Sequence, residues 1–325
     1  MVNVNYHKIE EIIRSSSNVY VMGHKGIDLD AFGACLGLYY IINSFNKKCF
    51  IILDEEESDA SIIKTKEELS KRNYNILQKK YLEIENTIDD EALLIIVDAN
   101  YQSLLQNTCA IDKFKKIIIL DHHKENQKSI PNVVYKYIDE NYSSTCEIIL
   151  NLIKKYQVEI PDFIASIMLG GIVVDTNNFT LKTSDTTYEN ASYLTKIGGD
   201  TKEVQYLLKE NLKEYFNIQK IIENVIIIDD KYAICTCDNT KYDKEFLAKI
   251  ASTLLSFDGI EVSFAIGKLE ENVVGISSRS IGNLDASIYM KKLGGGGHTT
   301  NAACQIANIT INDTLEKLLS IIKEG

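Results

Sequence analysis

Apolar residues in the first half of the chain come in short, nearly uninterrupted blocks at 18–22, 48–53, 92–97 and 116–120. A block without polar alternation is what a strand needs when both its faces are covered, as in a parallel sheet flanked by helices. Between these blocks the apolar spacing turns helical, as at 30–44, and 144–156 and 161–174 also read as helices, the latter with Pro161 in its first turn. The stretch 184–223 reads as helical apart from a break at Gly198-Gly199, and the polar stretch 55–90 as a peripheral helix with no functional signal. This pattern predicts an α/β domain with a doubly wound, mostly parallel sheet over residues 1–200.

Past Asn224 the pattern changes: strands at 225–228, 232–236, 261–268 and 273–278 mix with helices at 243–256 and 284–293, and an amphipathic helix closes the chain at 311–323. A smaller α/β domain over 214–325 is expected, joined through a helical linker at 198–213. At roughly 150 residues per domain, 325 residues leave room for two.

Composition narrows the function more than the fold. With 45% apolar and 25% charged residues the chain is of ordinary globular type. Its apolar blocks are far shorter than the ~20 residues that cross a bilayer, so no membrane segment is expected in this chain. Residues 1–18 show no apolar signal core, which points to the cytoplasm. The seven cysteines, an odd number set in apolar segments, fit reduced thiols rather than a disulfide framework. Cys235 and Cys237 would share a strand face, but no further Cys or His lies near enough in sequence to complete a zinc site. A net charge of −11 argues against binding long nucleic acid, whose affinity comes from Lys and Arg on phosphates. A small anionic substrate stays possible where bound cations reverse the local field.

Four of the five histidines, His24, His122, His123 and His298, stand beside Asp or Gly at the ends of expected strands or in loops. His24, Asp28 and Asp30 follow the first strand, Asp98 ends the block at 92–97, Asp121-His122-His123 ends the block at 116–120, and Asp175 follows a buried run. Each Asp alone would be a helix cap or turn residue. Together His24, Asp28, Asp30, Asp98, His122 and Asp175 form a mixed imidazole and carboxylate set suited to two divalent ions such as Mn²⁺, gathered where open α/β sheets bind ligands. Two such ions can clamp the attacking and departing oxygens of a phosphoryl transfer. In the second domain, Ser278 and Arg279 end a strand, and Gly294, Gly295, Gly296 and Gly297 lead to His298. Arg offers a bidentate fork and glycines let backbone N–H groups approach an anion. The plainer readings are a surface salt bridge and a flexible turn.

These residues resemble a known family. His24-x₃-Asp28-x-Asp30-Ala31, Asp98, Asp121-His122-His123 and Asp175 look like the four motifs of the DHH phosphoesterases, and Ser278-Arg279 with Gly294 to His298 looks like the DHH-associated C-terminal domain. Gly171-Ile-Val-Val-Asp-Thr176 with Asn178-Phe179, Leu254-Leu-Ser256 with Asp258-Gly259, and the glycine run continuing through Asn301-Ala302-Ala303 are similar to GdpP-type cyclic-di-AMP phosphodiesterases. The resemblance implies one Mn²⁺ on His24, Asp28 and Asp98, a second on Asp30, Asp98, His122 and Asp175, and Asp98 as the bridge. It implies that Asp121 orients the histidine pair, that His123 acts on the scissile phosphate or leaving oxygen, and that Arg279, the glycine run and His298 grip a second phosphate, with Ser278 and Asn301 in weaker roles. Family members usually have Asn-Pro where this chain has Gly26-Ile27, a loss of rigidity expected to loosen that loop without removing a ligand.

The implied activity is hydrolysis of cyclic-di-AMP to pApA, and also of pApA to AMP. The alternatives are a nano-RNA hydrolase or 3′-phosphoadenosine phosphate phosphatase of the same superfamily, and a nucleotide sensor without catalysis. Partners are then small nucleotides, cyclic-di-AMP, pApA or short RNA, and a homodimer is left open. GdpP-type proteins carry membrane helices, a PAS-like domain and a degenerate GGDEF domain ahead of this pair. The chain is therefore expected to be either the catalytic region of a membrane-anchored parent or a short version.

Overall fold

The six described strands of the first unit run parallel, in the order β3-β2-β1-β4-β5-β6. The computed structural model describes residues 4–54, 59–125, 130–209, 211–281, 284–297 and 299–323, and the chain divides after Lys209 into two units. The first contains α1 (Tyr6–Ser15), β1 (Val19–Met22), α2 (Leu29–Ser44), β2 (Cys49–Ile52), α3 (Ala60–Lys71), β3 (Gln78–Lys79), α4 (Tyr81–Ile84), β4 (Leu93–Val97), β5 (Lys116–Asp121), β6 (Val133–Ile138), α5 (Thr145–Tyr156), α6 (Asp162–Asp175), α7 (Asp185–Lys196) and α8 (Thr201–Leu207).

The apolar blocks become strands with both faces in a core. Val19 and Val21 of β1, Ile95 of β4 and Leu120 of β5 point into the core built with α1, α2, α5 and α6. Tyr20, Met22, Ile96 and Ile119, one position out of phase, point into the opposite core with Phe114 and Tyr81. Helices α2 and α6 are apolar nearly all round and buried accordingly. The strands at the two ends of the sheet, β3 and β6, escape the sequence pattern: β3 has two residues, and β6 alternates buried Tyr137 with exposed Val134 and Lys136. The stretch expected to be helical over 184–223 has a second interruption, between Leu207 and Leu212.

The second unit contains α9 (Leu212–Ile222), β7 (Ile226–Ile228), β8 (Tyr232–Lys241), α10 (Lys244–Leu255), β9 (Val262–Glu270), β10 (Val273–Ser280), α11 (Ala286–Lys292), β11 (Gly296–Gly297), β12 (Asn301–Ala307) and α12 (Ile311–Lys323). Its sheet, ordered β11-β12-β10-β9-β8-β7, is antiparallel except for the β8–β9 pair. One face is covered by α11 and α12, the other by α9 and α10. Cys235 and Cys237 do share a face, inside the α10 core, where burial pushes both thiols up to about 12. No disulfide occurs among the described residues, and no described helix is long and apolar enough to cross a membrane.

Candidate active site

Chain direction sets where the first unit can bind a ligand. From β1 the chain crosses to β2 on one side and later returns to β4 on the other, so the loops after β1 and β4 part company and leave a crevice at their carboxyl ends. Into that crevice come His24 and Asp28 from the loop after β1, Asp30 from the first turn of α2, Asp98 after β4, Asp121, His122 and His123 at the end of β5, and Asp175 as the last residue of α6. Asp98 holds φ at +57°, a left-handed conformation that a short polar side chain tolerates.

Three groups of side chains have ligand atoms within 4.8 Å of one another: His24, Asp28 and Asp98; Asp30, His122 and Asp175; and Asp98, His122 and His123. The His24 Nε2 atom lies 3.6 Å from Asp28 and 3.4 Å from Asp98, and His122 Nε2 lies 3.3 Å from Asp98 and 3.0 Å from Asp175. In both rings Nδ1 faces a backbone carbonyl, that of Lys25 at 2.7 Å and that of Tyr142 at 3.3 Å. A carbonyl can only accept, so Nδ1 carries the hydrogen and Nε2 is turned into the cluster. The His122 Nε2 atom is buried with no hydrogen-bond partner among the described residues, because the nearby carboxylates are not aligned to make one.

Asp30 is fully buried on the N-terminus of α5, its carboxylate accepting from the Thr145 N–H at 2.6 Å and the Cys146 N–H at 2.8 Å. The Thr145 hydroxyl donates to Asp98 at 2.9 Å. The turn before α5 is fixed in its turn by buried Glu147, which accepts from the Ser143 N–H at 3.0 Å and its hydroxyl, from the Thr187 hydroxyl at 3.3 Å and from the Asn190 amide at 2.8 Å. None of these donors is charged. Gly171 of α6 lies flush against Asp30: a Cβ there would stand 2.8 Å from the Asp30 Cα and 2.8 Å from the Cys146 sulfur.

Without cations, burial and neighbouring charge divide the carboxylates. Burial, reinforced by the other carboxylates, raises Asp30 well above its ordinary value, and burial lifts Asp175 to about 6. Burial would raise Asp98 as well, but His122, His123 and His24 more than reverse this and hold it well below the carboxylate range. Burial opposes a charge on His123, yet Asp121 at 2.9 Å and Asp98 at 3.4 Å bring it up to about 9. Asp121 is completed by the Asn100 amide at 2.6 Å.

The loop expected to be loose at Gly26-Ile27 is anchored. Ile27 is buried in the core, Gly26 takes φ +59°, and His24 bridges to Leu105. Sequence reasoning missed Thr145, Cys146, Glu147 and Asn100. A signal for the first three existed in Ser144-x-x-Glu147 ahead of an apolar run, the pattern of a capping box. Ser144 does cap α5, but Glu147 reaches past it to Ser143.

In the second unit Arg279 pairs in register with Asn301, and Ser278 with Ala302, beside Gly296 and Gly297. Arg279 is largely buried, a burial that lowers its pKa, and among the described residues it has no carboxylate partner; its guanidinium donates to the Ser277 hydroxyl at 3.3 Å and the Ser278 carbonyl at 3.0 Å. The Ser278 hydroxyl is buried and has no partner among the described residues. The expected run of four open backbone donors is corrected. The Gly294 N–H donates to Lys291 at 3.0 Å and the Gly295 N–H to Met290 at 2.8 Å, closing α11 in a Schellman motif with Gly294 at φ +84°. Those two amides are spent inside the molecule. His298 lies outside the described residues.

Residues 18–172 match the DHH family, N-terminal domain, and residues 229–324 match the DHHA1 domain. The chain carries a DHH domain followed by a DHHA1 domain. Cyclic-di-AMP phosphodiesterase GdpP of Bacillus subtilis (strain 168) is 35% identical to this DHH chain over 327 residues, covering 98% of the chain and 49% of that relative. Cyclic-di-AMP phosphodiesterase PdeA of Listeria monocytogenes serotype 1/2a (strain 10403S) is 32% identical over 321 residues, covering 97% and 48%. The chain thus spans about half the length of the curated relatives it matches. An exopolyphosphatase-related protein from Bacteroides fragilis shares the fold, with a TM-score of 0.83 over 98% of this chain and 96% of that one at 19% identity.

Proposed function

We propose that this chain is a metal-dependent phosphodiesterase that hydrolyses cyclic-di-AMP to pApA. The observation that carries the reading is the chain of His and Asp groups linked through Asp98 and His122, with the buried His122 Nε2 lacking a hydrogen-bond partner among the described residues, a donor set suited to cations. The DHH and DHHA1 domains and the likeness to two cyclic-di-AMP phosphodiesterases support the substrate.

His24, Asp28 and Asp98 would hold one divalent cation, and Asp30, Asp98, His122 and Asp175 a second, Mn²⁺ suiting the mixed nitrogen and oxygen donors. Bound cations would supply charge to the phosphoryl oxygens and make deprotonation of water possible near neutral pH. Asp121, held by Asn100, orients His123 through Nδ1. That leaves Nε2 turned away from Asp121 and placed to pass a proton to the departing 3′ oxygen. In the second unit Arg279, with Ser278 and Asn301, is assigned to a phosphate of the substrate, since a largely buried guanidinium with no carboxylate partner among the described residues is suited to an anion. Six buried thiols support a reducing, cytoplasmic setting.

The test is the purified chain with Mn²⁺ on cyclic-di-AMP, pApA, short RNA and 3′-phosphoadenosine phosphate. Cyclic-di-AMP should give pApA, the activity vanishing on chelation and returning with Mn²⁺. A chain that cleaves the linear substrates but leaves the cyclic one intact is instead a nano-RNA hydrolase, and one that binds nucleotides without product is a sensor.

A further inference from the structure

We propose that Phe179 and Tyr188 form a stacking platform for a nucleobase of the substrate, flanking the His and Asp cluster of the first unit. The proposal rests on the nucleotide reading above and extends it to base recognition. The two rings are stacked, with centroids 5.5 Å apart and planes inclined by 15°. Phe179 is half-buried against the core, whereas Tyr188 is 58% exposed and its hydroxyl has no partner among the described residues. A lone exposed tyrosine would be unremarkable on any surface. A tyrosine stacked on a second ring and still more than half exposed offers a flat π surface in a plane set by its neighbour.

Both rings are tied to the cluster by their neighbours in the chain. Phe179 is four residues past Asp175, and its N–H donates to the buried Thr176 hydroxyl at 3.0 Å. Tyr188 follows Thr187, which donates to Glu147 at 3.3 Å, and Glu147 fixes the turn that holds Asp30. One ring therefore hangs from the element that delivers Asp175, the other from the helix that braces the cradle of Asp30.

The backbone adds an independent sign. Asn177, Asn178 and Phe179 have φ of 45°, 56° and 62° in succession. Asparagine tolerates the left-handed region, but a bulky aromatic residue there is an outlier that glycine would relieve. Such strain persists where the surrounding structure requires that side chain in that place. Here it places the Phe179 ring behind Tyr188. Every nucleobase has a π face, and stacking on an aromatic side chain changes affinity by roughly 5- to 100-fold.

The experiment compares linear pApA with its analogue lacking one adenine, using wild type, Tyr188→Ala and Tyr188→Phe with Mn²⁺. In Tyr188→Ala the preference in kcat/KM for pApA over the abasic analogue should fall about tenfold, through KM, and Tyr188→Phe should restore it. Equal losses on both substrates, or a preference that does not move, would overturn the platform, since a merely structural role cannot distinguish them. The functional reading is tested apart from this, on cyclic-di-AMP itself; should wild type hydrolyse neither linear substrate, calorimetric binding of the same two nucleotides decides the platform. A wild-type preference for pApA lost in Tyr188→Ala supports it, and no wild-type preference overturns it.

Discussion

Two sheet ends in this molecule collect polar residues, and they treat charge in opposite ways. At the carboxyl edge of the first sheet, acidic groups crowd together, and the protein restrains them with neutral donors: α5 amides on Asp30, the Thr145 hydroxyl on Asp98, Asn100 on Asp121. At the end of β10 in the second sheet, a guanidinium is largely buried, and among the described residues it meets a hydroxyl and a carbonyl rather than a carboxylate. The first arrangement fixes its geometry before any cation arrives. The second leaves a positive group whose burial is costly until an anion compensates it. Preorganisation therefore belongs to the DHH unit, and unmet electrostatic demand to the DHHA1 unit.

The contrast can be broken at three points. Asp98→Ala removes a member of two of the three groups and should lower cyclic-di-AMP hydrolysis by about 1,000-fold or more, with an unchanged circular dichroism spectrum. Wild-type turnover by that variant would place the chemistry elsewhere. Arg279→Ala should act on binding, raising KM by about 10- to 100-fold, and Arg279→Lys should recover only part because a point charge lacks the planar fork. Steady-state kinetics at fixed Mn²⁺ decides this, and a fall confined to kcat would contradict it. The smallest effect is expected from Gly294→Ala, which forces a side chain into φ +84°. It should cost about 1 kcal/mol of stability by denaturant unfolding and leave KM as it was, in keeping with a helix stop rather than a phosphate contact.

The two ends were also unequally legible. Blocks such as 92–97 and 116–120 declared their strands because both faces are buried, and a strand that ends in Asp or Asp-His-His puts those groups at one edge by topology alone. What reads poorly is anything set by contact rather than period. Strand β12 hides its alternation behind small side chains, with Ala302 and Cys304 inward and Asn301 and Gln305 outward. The glycine run looked like a phosphate loop because four glycines in a row do not say which amides are already spent. Nothing in the period of its helix marks Glu147 as buried, and the contacts it accepts from Thr187 and Asn190 of α7 are what hold it inside.

The bare Cα of Gly171, in the middle of an apolar helix, gives the interior of this protein authority over its chemistry. Asp30 and Asp175 are carried on separate helices, and the gap between those helices is the thickness of a missing methyl group. Enlarging that residue would act as a shim, prising apart two carboxylates that it does not itself touch as a ligand. The tolerance of the reaction centre is thus machined in the hydrophobic core, and variation deep among leucines and isoleucines can tune reactivity as directly as variation in the motifs.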